Sequence, residues 1–424
     1  MREMKDSGIE WIGEIPKHWK CCKVKNSTSF VGSGTTPTSS NQDFYDGDIN
    51  WIQSGDLYKT VVVDTVEKKL TEKALKSFSA LHIYQAPFIV MAMYGASVGN
   101  TAFSKIDACC NQACCCIKNN EFFDLKFMYY WLDFAQIDFL GRAIGGTQPN
   151  ISQDKIKNQY IVKPSLEEQQ QITDFLDTQC SEIDATAEDI QKEISLLEDY
   201  KKSVITEAVT KGLNPDAEMK DSKIFYLGQI NKTWNLTKVG YCCKKLYRPF
   251  EPSDEALVCS NKGKVVPRGD TLIGLMTSDD NAMQGICKGD IAIHGMDTWH
   301  GAIACSEYDG KITRVVHVCK ADGDNRFVVY WLQHLAFVGV YKLISNGVRG
   351  NTSDFRSWDK VADIYVPNPI KEEQQQIVDY LDTKCSEIDT LIADKKRQLD
   401  IIAEYKKSLI YEYVTGKKEV PVNE

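Results

Sequence analysis

A chain of 424 residues is too long for one ordinary core, so two to three domains of roughly 100 to 200 residues are expected. Its composition, 43% hydrophobic and 26% charged, is that of a globular protein, and no apolar run approaches the ~18 residues that cross a bilayer. The net charge of −9 excludes a uniformly basic nucleic-acid binder. Its distribution leaves room for local basic surfaces. Residues 166 to 212 hold 12 acidic and 4 basic side chains, and residues 370 to 418 hold 10 and 9, so these two segments carry the whole of the −9. The N-terminus, "MREMKDSGIEW", lacks the apolar centre of a signal peptide, and a cytoplasmic location is expected.

The first element is already a repeat. "EMKDSGIEWIGEIPKHW" at residues 3 to 19 returns as "EMKDSKIFYLGQINKTW" at residues 218 to 234, in constant register from Glu3/Glu218 to Trp19/Trp234. The stretch that follows, roughly 20 to 163, reads as strands and tight turns. "NWIQSGDL", "PFIVMAMYG" and "ACCCIK" are short apolar runs bounded by Gly, Asp, Asn and Ser, and "GSGTTP" at Gly32 to Pro37 reads as a turn, without the spacing of a phosphate-binding loop. A helical stretch, "FMYYWLDF" from Phe127, and a loop, "GTQPNIS" from Gly146, close this middle.

From Ser165 the period changes. Leu176, Cys180, Ile183, Ala187, Ile190, Ile194, Leu197, Val204 and Ala208 follow alternating steps of four and three, interrupted by Lys201, and this is a coiled-coil seam. Ser165 and Glu168 read as a capping box and Gly212 as a stop. A helix of some 45 residues is about 70 Å long at ~1.5 Å per residue.

The second half repeats the plan. "DTLIGLM", "GDIAIHGM" and "ITRVVHVCK" are strand-like, "FVVYWLQH" from Phe327 is helical, and "GVRGNTS" from Gly347 answers the first loop at an offset of 201. "EEQQQIVDYLDTKCSEID" from Glu372 repeats "EEQQQITDFLDTQCSEID" from Glu167, and "YKKSLIYEYVT" repeats "YKKSVITEAVT", both at an offset of 205. The second seam runs through Leu381, Cys385, Ile388, Ile392, Leu399, Ile402, Leu409 and Tyr413, with Lys395 and Lys406 as interruptions, and Gly416 ends it. A long amphipathic helix cannot hide its seam inside a compact domain, so the two helices are expected to pack antiparallel on each other. The ends of the halves are alike and the middles have diverged, which is the plan of a two-headed binder with two unlike targets.

Fifteen cysteines come as adjacent pairs and a run without CxxC spacing, and neighbours on a strand point to opposite faces. Reduced, mostly buried thiols are expected, and no zinc site or cofactor. Catalytic motifs are also missing: the chain has no P-loop, no HExxH and no Asn-Pro-Pro-aromatic stretch. His294 and His300 near Asp297 have the spacing of neither a helical metal pair nor a triad.

"SGIEWIGEIPKHW", "GTQPNIS" leading into "PSLEEQQQI", and the second "EEQQQI" helix together resemble the DNA-specificity subunits of type I restriction-modification systems, over nearly the whole chain. The resemblance implies an α+β fold: two mixed α/β target-recognition domains in pseudo-twofold arrangement, joined by two long antiparallel coiled-coil helices. The expected boundaries are 1–164 and 213–368 for the recognition domains, 165–212 and 369–416 for the helices, and 417–424 for a tail. It further implies double-stranded DNA as ligand, two docked methyltransferase subunits, a motor-nuclease subunit, and a chain that is itself not an enzyme.

Reading bases requires side chains with paired donors and acceptors, whereas phosphate contacts only position them. The loops offer Gln148 opposite Arg349, Asn150 opposite Asn351, and Ser152 opposite Ser353. Bracing of the turn into the long helix is the plainer role for these residues. Ser33, Thr35, Thr36, Gln53, Ser54 and Tyr94 are further candidates in the first half, and Arg248, Arg268, Trp299 and Arg356 in the second. Lys17, Lys20, Lys23 and Lys25, with Lys244 and Lys245, are candidates for phosphate contacts. The competing function is a two-headed coiled-coil adaptor for proteins, with no DNA role.

Overall fold

A computed structural model describes residues 2–58, 60–141, 150–269, 280–345 and 354–421. The chain divides into two compact units, Met1–Asp189 with Gln398–Glu424 and Ile190–Arg397. Each unit therefore takes part of both long helices, Leu166–Lys211 and Lys371–Val414, where the segment boundaries expected above keep the helices separate.

In the first unit, Met4–Asp6 pairs antiparallel with Glu14–Pro16, and Lys20–Lys23 with Tyr160–Lys163. A five-stranded sheet follows in the spatial order Thr28–Ser33, Cys114–Asn119, Phe88–Ala92, Thr101–Ser104, Val62–Val63. Beside it lies a three-stranded sheet, Cys109–Cys110, Tyr45–Ile52, Lys69–Leu70. The second unit has the same two opening ladders, Met219–Asp221 with Gln229–Asn231 and Asn235–Lys238 with Tyr365–Asn368. Its middle differs: two four-stranded sheets replace the five and three. The expected strand "ITRVVHVCK" is two strands, Gly310–Thr313 and Val316–Ala321, and "DTLIGLM" lies outside the described residues. Both helical stretches form where the spacing places them, as Leu125–Phe134 and Asn325–Phe337, each capped by an aspartate, Asp124 or Asp324, whose side chain accepts backbone N–H groups of the first turn.

The seam residues are buried as the period requires: Leu176, Cys180, Ile194, Val204 and Ala208 on one helix and Leu381, Cys385, Ile388, Ile392 and Leu409 on the other. Within each unit the helices run antiparallel. In the first unit Phe175 stacks on Tyr413 at 4.5 Å and Asp184 meets Lys406 at 2.6 Å. In the second, Glu193 meets Lys395 at 2.5 Å and Lys201 meets Asp389 at 2.6 Å. Every lysine that interrupts a seam thus finds an acid on the opposite helix. Lys201–Asp389 is Asp184–Lys406 moved by the 205-residue repeat. Polar pairs in a seam select register, because any slip leaves a half-buried ammonium facing apolar side chains. Lys406→Glu is expected to cost about 1–2 kcal/mol, reduced by the pair's partial exposure, and Asp184→Lys in the same chain to recover most of it in urea unfolding.

The opening repeat closes the ends of the helix pair. Trp19, fully buried, donates from Nε1 to Glu168 Oε2 at 2.8 Å, and Trp234 does the same to Glu373 at 3.0 Å. Glu168 N–H bonds Ser165 Oγ at 3.2 Å, but the returning half of a capping box is not made, because the Glu168 carboxylate is held by Trp19 and Arg2. The other face of each indole meets the end of the opposite helix. A Cβ at Gly416 would lie 2.7 Å from Trp19 and 2.5 Å from Pro16, and one at Gly212 would lie 3.2 Å from Trp234. Both glycines also have positive φ, 70° and 88°, the left-handed stop of a helix. Each tryptophan therefore clasps the start of one long helix to the end of the other, which explains why the opening and closing motifs are duplicated together. Where the second opening has Asn231 for Pro16, its Nδ2 donates to the Lys211 carbonyl at 2.7 Å, again a helix end.

A second buried set is also duplicated. Gln169 accepts from Asp124 N–H at 2.8 Å and donates to the Pro164 and Phe122 carbonyls; Gln374 accepts from Asp324 N–H at 2.9 Å and donates to the Pro369 carbonyl. Tyr130 O–H donates to Asp177 and Tyr330 O–H to Asp382, at 2.8 and 2.7 Å. Trp131 and Trp331 donate to the Tyr160 and Tyr365 carbonyls, both at 2.8 Å. These contacts fasten each α/β layer to its long helices.

One contact differs between the units and carries a pH prediction. Where the first unit has Phe134, the second has buried His334, bonded to Thr206 Oγ1 at 3.0 Å. Burial pulls its pKa down to about 4, and burial lowers His294 and His317 as well. An unfolded histidine titrates near 6.5, so the unfolded chain binds the proton first on acidification. The stability due to neutral His334 is whole above pH ~6.5 and is lost as pH falls toward 4, by about 2 kcal/mol at pH 5. Unfolding followed at pH 7 and pH 5 should show this loss, and His334→Phe should remove the His334 share of it, leaving that of His294 and His317.

Candidate nucleic-acid interface

The sheets of the first unit end on a common rim. The strand ends Ser33, Ile52, Ala92 and Cys110 and the strand start Cys114 are tied there by ladder and turn bonds: Cys115 is in register with Ser33, Cys114 with Ala92, and Cys110 with Ile52. Asn111 N–H donates to the Ile52 carbonyl at 3.0 Å, Met93 N–H to the Ala113 carbonyl at 2.7 Å, and Ile151 N–H to the Met93 carbonyl at 2.9 Å. Ser33, Thr35, Thr36, Gln53, Ser54, Tyr94 and Asn150, spread over 118 positions of sequence, all fall on or next to this rim. Tyr94 is 45% exposed and its backbone bridges Asn150. Gln53 begins the short turn Ser54–Leu57 and takes Asp56 Oδ2 on its N–H at 2.8 Å. Ser33 gives its carbonyl to Tyr84 O–H at 2.8 Å. Gln148 lies outside the described residues.

"GSGTTP", expected as a turn, is instead the end of the strand Thr28–Ser33 running into irregular chain, and its second glycine is needed for contact. A Cβ at Gly34 would sit 1.7 Å from the Cys110 carbonyl oxygen, so only glycine lets this segment press on the end of Cys109–Cys110. That approach brings Thr36 Oγ1 to Gln112 Oε1 at 2.7 Å. Asn111 and Gln112 were missed by sequence reasoning. Their signal was there, as the polar pair in "CCNQACCC", a turn between two strand-forming cysteine runs.

In the second unit the rim is recognised by the same backbone bond: Phe355 N–H donates to the Gly295 carbonyl at 3.0 Å, as Ile151 does to Met93. This changes the expected loop correspondence. Ser152 begins the helix Gln153–Asn158, and the matching helix Trp358–Ala362 begins after Ser357, an offset of 205, so Ser152 answers Ser357 and not Ser353. The pairing at 201 came from likeness of letters in the loop, whereas the helix start and the strand behind it set the true register. Arg349, Asn351 and Ser353 lie outside the described residues. Arg356 reaches Met296 Sδ at 3.0 Å and remains exposed. Trp299 is packed against the core of the unit, with its Nε1 buried. Arg268 is half-buried, with its N–H on the Ala256 carbonyl at 2.8 Å. Arg248 is clamped by Asp290, which is 3% exposed, through both Nε and Nη2, the latter at 2.7 Å; this guanidinium compensates a buried carboxylate. His294 Nδ1 accepts N–H from Asp297 at 3.1 Å, so the histidine organises a turn.

The basic candidates are dispersed. Lys17 pairs with Glu3 at 2.9 Å, and Lys20 lies opposite Lys163 on the ladder before the first long helix. Lys23 bonds Asn158 at 3.3 Å and Lys25 is exposed nearby in sequence. Lys244 is exposed, and Lys245 lies over the Tyr247 ring at 5.0 Å. All fifteen cysteines are free thiols, the 109–116 group fully buried, and burial pushes the Cys109 pKa up to about 12. Among the described residues no group of His, Cys, Asp or Glu has a metal-binding arrangement, and no helix is long and apolar enough to cross a membrane.

Residues 16–196 match the family described as the type I restriction modification DNA specificity domain. Over that span the chain is similar to this specificity family. It is 31% identical over 191 residues to the type I restriction enzyme MjaIX specificity subunit of Methanocaldococcus jannaschii, covering 44% of this chain and 43% of that one. It is 27% identical over 199 residues to the EcoR124I/EcoR124II specificity subunit of Escherichia coli, covering 45% and 46%. The matches span about half the length of each relative. A solved structure titled for complex assembly and conformational transition of the type I R-M system covers 95% of this chain and 99% of its own, with a TM-score of 0.70 at 14% identity, a likeness of fold. The matched span ends before the second opening motif, and the contacts of the first half recur beyond it: the same clasp, buried glutamine and Tyr–Asp bond are made in the second half.

Proposed function

We propose that this chain is the sequence-reading subunit of a type I restriction-modification assembly, in which each α/β unit reads one half of a split site in double-stranded DNA. One observation carries the reading: two units fastened by the same buried contacts carry different sheets and different rims, Thr36, Gln53, Gln112 and Asn150 in one and Met296 and Arg356 in the other. A scaffold held constant with its working edge changed suits two different base sequences met in the same way. The long helices space the units and dock methyltransferase subunits, two by the duplication, with a motor-nuclease subunit joining for cleavage. Catalysis resides in those partners and the assembly works in the cytoplasm. With acid concentrated on the first long helix, DNA affinity depends on the partners' basic surfaces. The adaptor reading lacks support from the family.

The test is to map methylated bases in DNA of cells expressing the full chain with its methyltransferase. Two short fixed sequences separated by an unread gap are expected. A single contiguous site, or methylation indifferent to this chain, overturns the proposal.

A further inference from the structure

We propose that Gln112 reads a base pair of the half-site addressed by the first unit, with Thr36 as its positioning residue and Gly34 as the residue that permits their contact; this rests on the DNA-reading function above. The turn that carries Gln112 is anchored on both sides. It joins two buried strands, Cys109–Cys110 and Cys114–Asn119. Its backbone is bonded on both sides, Asn111 N–H to Ile52 and the Ala113 carbonyl to Met93 N–H. Asn111 is 8% exposed and spends its Oδ1 on Ala113 N–H at 3.0 Å, so it belongs to the turn. Gln112 is the member left exposed.

An exposed glutamine ordinarily samples many rotamers and pays for one on binding. Here Thr36 Oγ1 donates to one lone pair of Gln112 Oε1 at 2.7 Å, which fixes the carboxamide plane. The second lone pair and both Nε2 hydrogens remain. An acceptor beside a donor in a fixed plane is the complement of the N6/N7 edge of adenine in the major groove. The contact exists only because the segment from Gly34 to Thr36 closes on the Cys110 carbonyl, the approach that a Cβ at Gly34 would block. Gln53, Tyr94 and Asn150 border the same edge, so Gln112 stands where several polar groups face outward together.

The experiment uses the full chain expressed with its methyltransferase, and methylation mapping of the wild type first defines both half-sites. Gln112→Ala should relax discrimination at one position of one half-site by roughly ten- to hundredfold, leave the other half-site unchanged, and leave thermal unfolding unchanged. Thr36→Val should relax the same position more weakly, Thr36→Ser should restore it through its hydroxyl, and Gly34→Ala should reproduce Thr36→Val. If Gln112→Ala leaves both half-sites as they were, or weakens every position alike, the assignment is overturned while the two-headed reading stands. If the wild type itself directs no split site, the functional reading falls, and this inference with it.

Discussion

Trp19→Ala lowers the unfolding free energy of the first unit by about 3–5 kcal/mol, the cost of removing a large buried aromatic, and Trp234→Ala does the same to the second. The side chains are 0% and 1% exposed, so truncation opens a cavity between a helix start and a helix end. It also strands part of a carboxylate: Glu168 loses its indole donor and keeps Arg2 and His18, whereas Glu373 loses Trp234. Hydrogen exchange would separate this from a general loss of stability. After Trp19→Ala, amides around 166–176 and 409–416 should lose protection first, and after Trp234→Ala those around 204–212 and 371–381. Equal loss in both regions from either change would mean that the tryptophans do not act as local clasps.

Gln169→Leu is the second large effect, about 2–4 kcal/mol. Its side chain volume is nearly conserved, so the cost comes from polar groups left without partners in a site 0% exposed. Asp124 N–H loses its acceptor, and the Pro164 and Phe122 carbonyls lose a donor; a buried unsatisfied group costs roughly 1–3 kcal/mol. Because Asp124 caps the helix Leu125–Phe134, that helix should fray as well, read as weakened helical circular dichroism before the main urea transition. Gln374→Leu should repeat the result in the second unit, where Gln374 serves Asp324 N–H and the Pro369 carbonyl. A loss below about 0.5 kcal/mol in both would show that these glutamines are replaceable.

The two predictions bear on how the repeat is read. The third residue of each "EEQQQ", its first glutamine, and the last residue of each opening motif look alike in sequence, as polar or aromatic letters that recur. Their physical roles differ. The tryptophans join helix ends, and the glutamines join a helix to the sheet layer. Both explain why drift stopped at the ends of each half: a change at any member leaves a buried partner unsatisfied or a cavity unfilled, whereas a strand of the middle needs only to keep its apolar face.

Much of the plan was legible in the chain itself. The seam spacing placed both long helices to within two residues of Leu166–Lys211 and Lys371–Val414, because a 3.5-residue period sustained over about nine turns reads as a long helix. The duplication announced two units of one kind. The antiparallel pairing followed from two equal seams that needed cover. Lys201, Lys395 and Lys406 appeared only as interruptions, since the acids that answer them lie 188, 202 and 222 residues away.

The rim was the part that letters could not assemble. Thr36 and Gln112 are 76 positions apart, and their contact depends on the parallel pairing of Cys109–Cys110 with Tyr45–Ile52, which no local pattern encodes. The same limit misplaced the loop correspondence, where Ser353 resembled Ser152 in sequence while Ser357 held its place in the fold. It also let Arg248 stand as a free cation until Asp290 came within reach. Sequence by itself determined the elements, their repetition and the pairing of the helices, because these rest on periodicity and on like segments needing like cover. Only the tertiary structure decided which side chains share an edge, because strand order and register join residues that are neighbours in space and strangers along the chain.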